Sequence, residues 1–190
     1  MMEVYYNGCL VIFRTFYDAL FCEHAFETLQ NEVKWLSKHY HNADGSTVYL
    51  PRLTANYGEE SYDYSGLTFQ PVPWTPFLTR LKADADALAK ENFNALVLQL
   101  YRDGKDRVGW HADEDACVGQ NPSIVSISFG ETRSFWLKEK TRASEVLKLT
   151  LQAGDVVLMQ GTLQHAYLHK VPSEEEKSAR INLTFRKVIT

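Results

Sequence analysis

The spacing of apolar residues changes along the chain near residue 95. Upstream, two segments carry them at helical spacing, the first over 18–39 behind the potential N-cap Asp18. The second begins at Thr75, has Pro76 at the favoured first helical position, and runs to about Asn92. The pattern predicts two amphipathic helices, each packing one face on a sheet.

From residue 95 onward the apolar period becomes two. Short runs rich in β-branched and aromatic residues are separated by turn residues: ALVLQLY (95–101), SIVSISFG (123–130), RSFWLK (133–138), LKLTLQ (147–152), DVVLMQ (155–160) and RINLTFRKV (180–188). This pattern predicts antiparallel sheets in a sandwich or jelly roll, and hence an α+β fold.

Residues 41–74, between the two helical segments, have weak periodicity and are rich in Gly, Tyr, Asn, Ser and Pro. They predict a long loop with two short strands. Loops of this length are uncommon and are often functional.

Length and composition indicate one domain. A single hydrophobic core serves a chain of 190 residues. We divide the chain into 1–94, with helices and a recognition lid, and 95–190, the jelly-roll core.

Apolar runs are far shorter than a membrane span, and the first residues lack a secretion signal. We expect a monomer in the cytoplasm, or in the nucleus if the source is eukaryotic.

Charge and cysteine content narrow the chemistry further. The three cysteines are odd in number and lack CxxC spacing, which argues against a disulfide framework or zinc knuckle. The net charge of −4 gives no general attraction to nucleic acid, so any such affinity requires a local patch.

The segment GWHADED contains the first candidate ligands. His111 and Asp113 are two positions apart, so on extended backbone both side chains project from one face and can share a metal ion. His165 and His169 are the later histidines that can supply a third ligand, and His169 just before Pro172 is the stronger candidate. Two histidines and one carboxylate are typical of non-haem Fe(II) oxygenases. An HxD pair alone also occurs by chance.

The last strand has two contrasting faces. Ile181, Leu183 and Phe185 form an apolar face, and the opposite face alternates with it: Arg180, Asn182, Thr184 and Arg186. That polar face is either a surface with ordinary arginines or the lining of a pocket. In a pocket, two guanidinium groups could each bind one end of a dicarboxylate such as 2-oxoglutarate.

Several motifs in one order resemble the AlkB family of Fe(II)- and 2-oxoglutarate-dependent dioxygenases, most of all its nucleic-acid-repairing members. The resemblance runs from about Pro51 to Val188 through PRLTANYG, YDYSGL, LYRDGKDRVGWHADED, SISFG, AGDVVLM and RINLTFR. It implies a double-stranded β-helix with N-terminal supporting helices and a nucleotide-recognition lid.

The resemblance also implies roles for individual residues. His111, Asp113 and His169 would hold Fe(II). The residues that would bind 2-oxoglutarate or lie beside it are Gln99, Tyr101, Arg180, Asn182, Thr184 and Arg186. Gln99 stands where many members carry asparagine, although its longer amide still donates a hydrogen bond.

The implied reaction consumes O2 and 2-oxoglutarate and removes N-methyl groups from bases such as N1-methyladenine and N3-methylcytosine in DNA or RNA. Tyr62 and Tyr64 resemble lid aromatics that stack on a flipped base, although a Tyr-x-Tyr pair also occurs in half-buried strands. Asp115 would accept a hydrogen bond from an exocyclic amine, or serve as a supporting or surface charge. Arg52 is a candidate phosphate contact.

The loop after His169 carries Glu174, Glu175 and Glu176, where a protein that binds duplex DNA would be expected to present basic residues. These carboxylates should repel a phosphate backbone, so we hypothesise a preference for single-stranded nucleic acid. Two alternatives remain open. One is a hydroxylase or demethylase of a protein or small molecule, and the other is a non-catalytic nucleic-acid-binding module.

Overall fold

The computed structural model describes residues 1–41, 44–59, 62–64, 67–114, 116–142 and 145–189, with the backbone alone at 62–64, 67–69 and 116. Within them the helices are α1 (Ala19–Glu32), α2 (Pro76–Ala89) and α3 (Leu163–Ala166). The strands are β1 (Met2–Tyr5), β2 (Leu10–Phe13), β3 (His39–His41), β4 (Thr47–Tyr49), β5 (Leu53–Gly58), β6 (Tyr62–Tyr64), β7 (Leu67–Phe69), β8 (Ala95–Tyr101), β9 (Val108–His111), β10 (Ile124–Gly130), β11 (Arg133–Glu139), β12 (Val146–Leu151), β13 (Val156–Met159), β14 (Tyr167–Val171) and β15 (Arg180–Arg186).

Two antiparallel sheets form the body of the protein. The major sheet has seven strands in the order β1-β2-β13-β10-β15-β8-β5, and the minor sheet has four in the order β12-β11-β14-β9. Strands β3 and β4 pair separately, as do β6 and β7. Neighbours that are distant in sequence indicate the crossovers of a jelly roll, so the predicted fold class is confirmed.

Apolar and polar side chains alternate along β15 because the two sides of the major sheet have different surroundings. On one side of the major sheet, Ile181, Leu183 and Phe185 pack in a cluster with residues of α1 and α2, including Leu29 and Leu81. A second cluster joins residues of both sheets. Because side chains alternate along a strand, the polar face of β15 is turned toward the minor sheet.

Both predicted helices form, but each is shorter than predicted. Asp18 caps α1 by accepting a hydrogen bond from the Phe21 N–H at 2.8 Å. The helix ends at Glu32 instead of continuing to residue 39, because Leu36 forms a bridge with Thr54 and the two exchange backbone hydrogen bonds of 2.9 Å. Helix α2 ends at Ala89 instead of about Asn92, because the next residue, Lys90, adopts a left-handed conformation.

The prediction of a long loop with two short strands over 41–74 was wrong. Strands β4, β5, β6 and β7 lie within it, and β5 pairs along its whole length with β8 in the major sheet. Thr54 and Asn56 are buried polar residues of β5, so this strand lacks the alternation that marks a half-buried strand. Pairing with β8 stabilises it, and local sequence does not report that pairing.

Strand β9, which pairs with β14, was also absent from the sequence-based assignment. In their pairing His111 lies opposite His169 and Val108 lies opposite Val171, so three steps on β9 match two on β14. This β-bulge lets Val108 enter the apolar cluster between the sheets while His111 also faces inward. Trp110, between them, lies on the outer face beside Lys138 and Lys170.

No helix among the described residues is long and apolar enough to cross a membrane.

Candidate metal centre and adjoining cavities

Three potential metal ligands converge between the sheets. His111 ends β9, His169 lies opposite it on β14, and Asp113 follows β9 by two residues. One ligand atom from each lies within 4.8 Å of the other two, and Nε2 of His169 is 3.8 Å from Oδ2 of Asp113. Two imidazoles and one carboxylate on one side of a shared point suit a hard to intermediate divalent ion such as Fe(II) and leave other coordination positions open.

Each of the two histidines has a ring nitrogen that can bind a metal ion. Nδ1 of His111 donates to the carbonyl oxygen of Gly109 at 2.9 Å, which leaves the Nε2 lone pair for a metal. Burial and the neighbouring His111 lower the pKa of His169 to about 3, so its imidazole is neutral near pH 7. A neutral imidazole can bind a cation without first losing a proton.

Gln164 holds the third ligand in place. This side chain on α3 is almost completely buried, and its Oε1 accepts a hydrogen bond of 2.8 Å from the Asp113 backbone N–H. Its Nε2 donates to Sδ of Met159 at 3.5 Å. The amide therefore ties the segment that carries Asp113 to the helix that precedes β14.

The polar face of β15 lines a narrow cavity beside these ligands. The cavity measures about 40 Å³, and all four predicted residues of β15, together with Gln99 and Tyr101 of β8, lie in its wall. Tyr101 donates to Oε1 of Gln99 at 2.7 Å. Asn182 donates to Ser126 at 2.7 Å and to the Ile127 carbonyl at 3.0 Å. Asn182 therefore supports the wall of the cavity.

Arg180 is a buried cation with unused donors. Its Nη2 donates to Oγ of Ser128 at 2.9 Å, and its Cζ is 5.3 Å from the centre of the Tyr101 ring. In the part of the chain that the structure describes, Nε and Nη1 of Arg180 are buried without hydrogen-bond partners. Buried donors of this kind are costly unless an acceptor satisfies them. A carboxylate, such as one of those of 2-oxoglutarate, can accept from such donors.

Arg186 marks the other end of the same face. Its Nη2 is 3.5 Å from Oδ1 of Asp113, so it lies beside the candidate metal ligands. Six residue steps of extended strand separate the two arginines by roughly 20 Å at Cα. The two arginine side chains would therefore have to point toward each other to contact one short dicarboxylate. Both lie in the wall of the narrow cavity.

A larger cavity opens onto the candidate ligands from outside. It measures about 650 Å³ and shares Gln99, His111, Asp113 and Arg186 with the narrow cavity. Segments from β4, β5 and β9 supply much of the rest of its wall, and cationic side chains contribute to it: Lys38, Arg52, Arg107 and Arg186. Arg180 lines the narrow cavity and not the larger one, so a group bound in the larger cavity would reach the ligands away from Arg180.

Of the predicted substrate contacts, only the side chain of Arg52 lies within the described residues. Arg52 lies half-buried in the wall of the larger cavity, where its Nη1 donates to the Arg107 carbonyl at 3.3 Å. The side chains of Tyr62 and Tyr64 lie outside the described residues, as does Asp115. The β6 backbone is nevertheless described, and it lies beside the short 3-10 turn Ala116–Val118 that follows the Asp113 segment.

The structure brings His169, and not His165, to the other two ligands. His165 is exposed on α3, where its Nε2 accepts from the Asn121 N–H at 3.3 Å. Sequence reasoning missed the contributions of Ser126 and Ser128. Their alternation with apolar residues in SISFG matches that of β15, so a polar face on β10 was visible. Gln164 had no comparable signal.

Comparisons with known proteins agree with this geometry. The model of the 2OG-Fe(II) oxygenase superfamily matches residues 9–186. The alpha-ketoglutarate-dependent dioxygenase alkB homolog 3 of Bos taurus is 38% identical over 183 residues, which cover 91% of this chain and 64% of that protein. The DNA oxidative demethylase ALKBH2 of Mus musculus is 31% identical over 176 residues, which cover 86% of this chain and 74% of that protein.

The solved structure of OsALKBH1 matches with a TM-score of 0.69 at 17% identity, covering 98% of this chain and 100% of that chain. This likeness concerns the fold. The chain spans less than two thirds of the alkB homolog 3 of Bos taurus, 64% of its length.

Proposed function

Since the chain belongs to the 2OG-Fe(II) oxygenase superfamily and, within it, to the AlkB family, we propose that it is a dioxygenase that removes N-linked methyl groups from nucleic-acid bases. The observation that carries this proposal is the meeting of two cavities at one ligand group. The narrow cavity contains the unsatisfied Arg180 donors, and the wide one opens outward from His111 and Asp113.

Each part of the site has a role in this proposal. Bound Fe(II), O2 and 2-oxoglutarate would supply the oxidising chemistry that hydroxylates the methyl group, which then leaves as formaldehyde. Arg180 would bind the distal carboxylate of 2-oxoglutarate, with Arg186 beside the metal end. Phe135 and Met159 line the same cavity and would keep water from its inner end.

The wide cavity suits a base that has left its stack. Its volume of about 650 Å³ lies in the range of pockets that enclose small organic groups. Flipping a base costs less where methylation has already broken its pairing. We therefore propose N1-methyladenine and N3-methylcytosine as substrates, in DNA or RNA. The name DNA oxidative demethylase, carried by the ALKBH2 relative, supports DNA as a substrate of demethylation.

We further propose a preference for single strands, which rests on two of the three carboxylates in the loop after His169. Glu174 is occupied, since it pairs with the buried Arg133 at 2.9 Å and accepts from the backbone and hydroxyl of Ser134. Glu175 and Glu176 remain exposed and would repel a second strand that approached this loop.

The test uses a single-stranded oligonucleotide with one N1-methyladenine, incubated with the protein, Fe(II), ascorbate and 2-oxoglutarate, and analysed by mass spectrometry. We expect methyl loss that requires iron and 2-oxoglutarate, is abolished by Asp113→Ala and persists in His165→Ala. A matched duplex at moderate salt should react more slowly, and equal or faster repair of the duplex would contradict the strand preference.

The remaining outcomes separate the alternatives. Succinate formation without methyl loss would preserve the dioxygenase and point to a protein or small molecule as substrate. Neither product, in a sample shown to bind Fe(II), would favour a binding module without turnover.

A further inference from the structure

Tryptophans and lysines alternate across the outer face of the minor sheet. Nζ of Lys170 lies 4.4 Å from the centre of the Trp136 ring and 4.7 Å from that of Trp110. Nζ of Lys148 lies 4.8 Å from Trp136, and Nζ of Lys138 lies 4.6 Å from Trp110. We call these five residues the Trp–Lys stripe.

Strand register places the stripe on the outside. Trp136 of β11 lies opposite Lys148 of β12 on one side and Lys170 of β14 on the other. The intervening residues of β11, Phe135 and Leu137, face the core. The bulge in β9 then brings Trp110 to the outer face, so the stripe crosses all four strands of the sheet.

The stripe is a local positive patch on a protein whose formal net charge is −4. The outward positions of these four strands, all within the described residues, carry its three lysines and no carboxylate. At one corner, the carboxylate of Glu174 is paired with Arg133. Nucleic-acid affinity in an acidic chain requires such a patch.

The stripe contributes little to holding the fold together. Its five side chains are half-buried or exposed, and both apolar clusters form without them. Exposed cation–π pairs are individually weak, whereas stacking of a base on an aromatic ring is stronger. Exchange of a lysine for a base on an indole face is therefore favourable when the displaced ammonium group can move to a phosphate.

The stripe is continuous with the site already described. Trp110 is both its end and part of the wall of the 650 Å³ cavity, together with Arg107 and Lys38. Because Trp110 lies in the cavity wall, a strand whose target base occupied the cavity could continue over Trp110. From Trp110 outward, the stripe offers further aromatic and cationic side chains together.

We propose that the Trp–Lys stripe binds the single-stranded nucleic acid that flanks the target base, with bases stacked on Trp110 and Trp136 and the three lysines on phosphates. This inference rests on the proposed function for its choice of partner. Interleaved aromatic and cationic side chains are the recognised chemistry of single-strand binding without sequence preference.

The experiment measures binding without turnover. A fluorescein-labelled, unmodified single-stranded DNA of about 15 nucleotides, near the upper end of known site sizes, is titrated with protein in the absence of iron and 2-oxoglutarate, and anisotropy is followed against salt. Each phosphate contact contributes about 0.7 to the slope of log affinity against log salt on single strands. Lys148→Gln/Lys170→Gln should therefore reduce the slope by about 1.4, which corresponds to about 25-fold weaker binding near 0.1 M salt.

Lys34→Gln is the matched control, since Lys34 is an exposed lysine just after α1, the helix that packs on the major sheet. It should bind like the unmodified protein. Trp136→Leu should weaken binding at least about fivefold, with the salt slope unchanged, and Trp136→Phe should restore part of the loss.

Two outcomes would overturn the proposal: a double variant whose slope and affinity match those of Lys34→Gln, or poly-glutamate that displaces the probe as well as unlabelled DNA of equal charge. The second result would assign the stripe to an acidic protein surface. Because the probe carries no methylated base, stripe-dependent binding can be observed even if demethylation fails, and demethylation can be observed in a protein whose stripe variants bind normally.

Discussion

Gln164→Leu removes the acceptor of the Asp113 backbone N–H while keeping a buried side chain of similar size. The hydrogen bond measures 2.8 Å between groups that are both buried. A buried donor left without an acceptor costs about 1–3 kcal/mol. If the Asp113 segment rearranges to satisfy that donor, the cost appears as lost metal affinity, a factor of about 5 to 150. Loss of such supporting contacts lowers metal affinity about 10- to 100-fold in other sites.

The assay is competition for Co(II) between the apo-protein and a coloured chelator, combined with urea unfolding of the same samples. His165→Ala is the matched control, because His165 is the next residue on α3 and faces away from the ligands. We expect weaker metal binding for Gln164→Leu alone. Wild-type metal affinity together with a loss of about 1–3 kcal/mol in unfolding free energy would refute a positioning role and leave a structural one.

Three further predictions follow from other contacts. His169→Ala should abolish iron-dependent turnover, whereas His165→Ala should leave most of it, and the reverse result would exchange the two histidines as ligand. Arg180→Lys should raise the KM for 2-oxoglutarate about ten- to a hundredfold, since one ammonium group cannot replace a planar fork of charged donors worth about 1.5–3 kcal/mol each; an unchanged KM would place the carboxylate elsewhere. Glu174→Ala should lower the free energy of unfolding by about 3 kcal/mol or more in urea titrations, because it leaves Arg133 buried without its carboxylate. Glu175→Ala should change it by less than about 0.5 kcal/mol, and similar losses for the two variants would show that the pair with Arg133 adds no particular stability.

The sequence predicted those parts of the structure in which local pattern and long-range contact agree. Strand β15 is the clearest case, because its alternation reports two different environments, helices on one side and a cavity on the other. Strand β8 was predicted with its observed bounds. The capping residue Asp18 was visible because capping is a local interaction, and Thr75, predicted as the start of the second helix, caps α2.

The missed elements depend on partners far away in the chain. Strand β5 carries buried Thr54 and Asn56 and is defined by its pairing with β8. The bulge in β9 puts Val108 and His111 on one side although they are three residues apart, so a period-two search cannot detect that strand. Gln164 acts through one contact with a residue 51 positions away, and no local pattern encodes it.

The short segment from α3 into β14 has a thermodynamic consequence. It carries both Gln164, which fixes the Asp113 backbone, and His169, whose pairing with β9 sets its position opposite His111. Metal binding therefore requires little ordering of the chain, unlike binding to small zinc modules that are unfolded without metal. The apo-protein should bind the ion with a small change in heat capacity, because little apolar surface becomes buried when the ligands close around it.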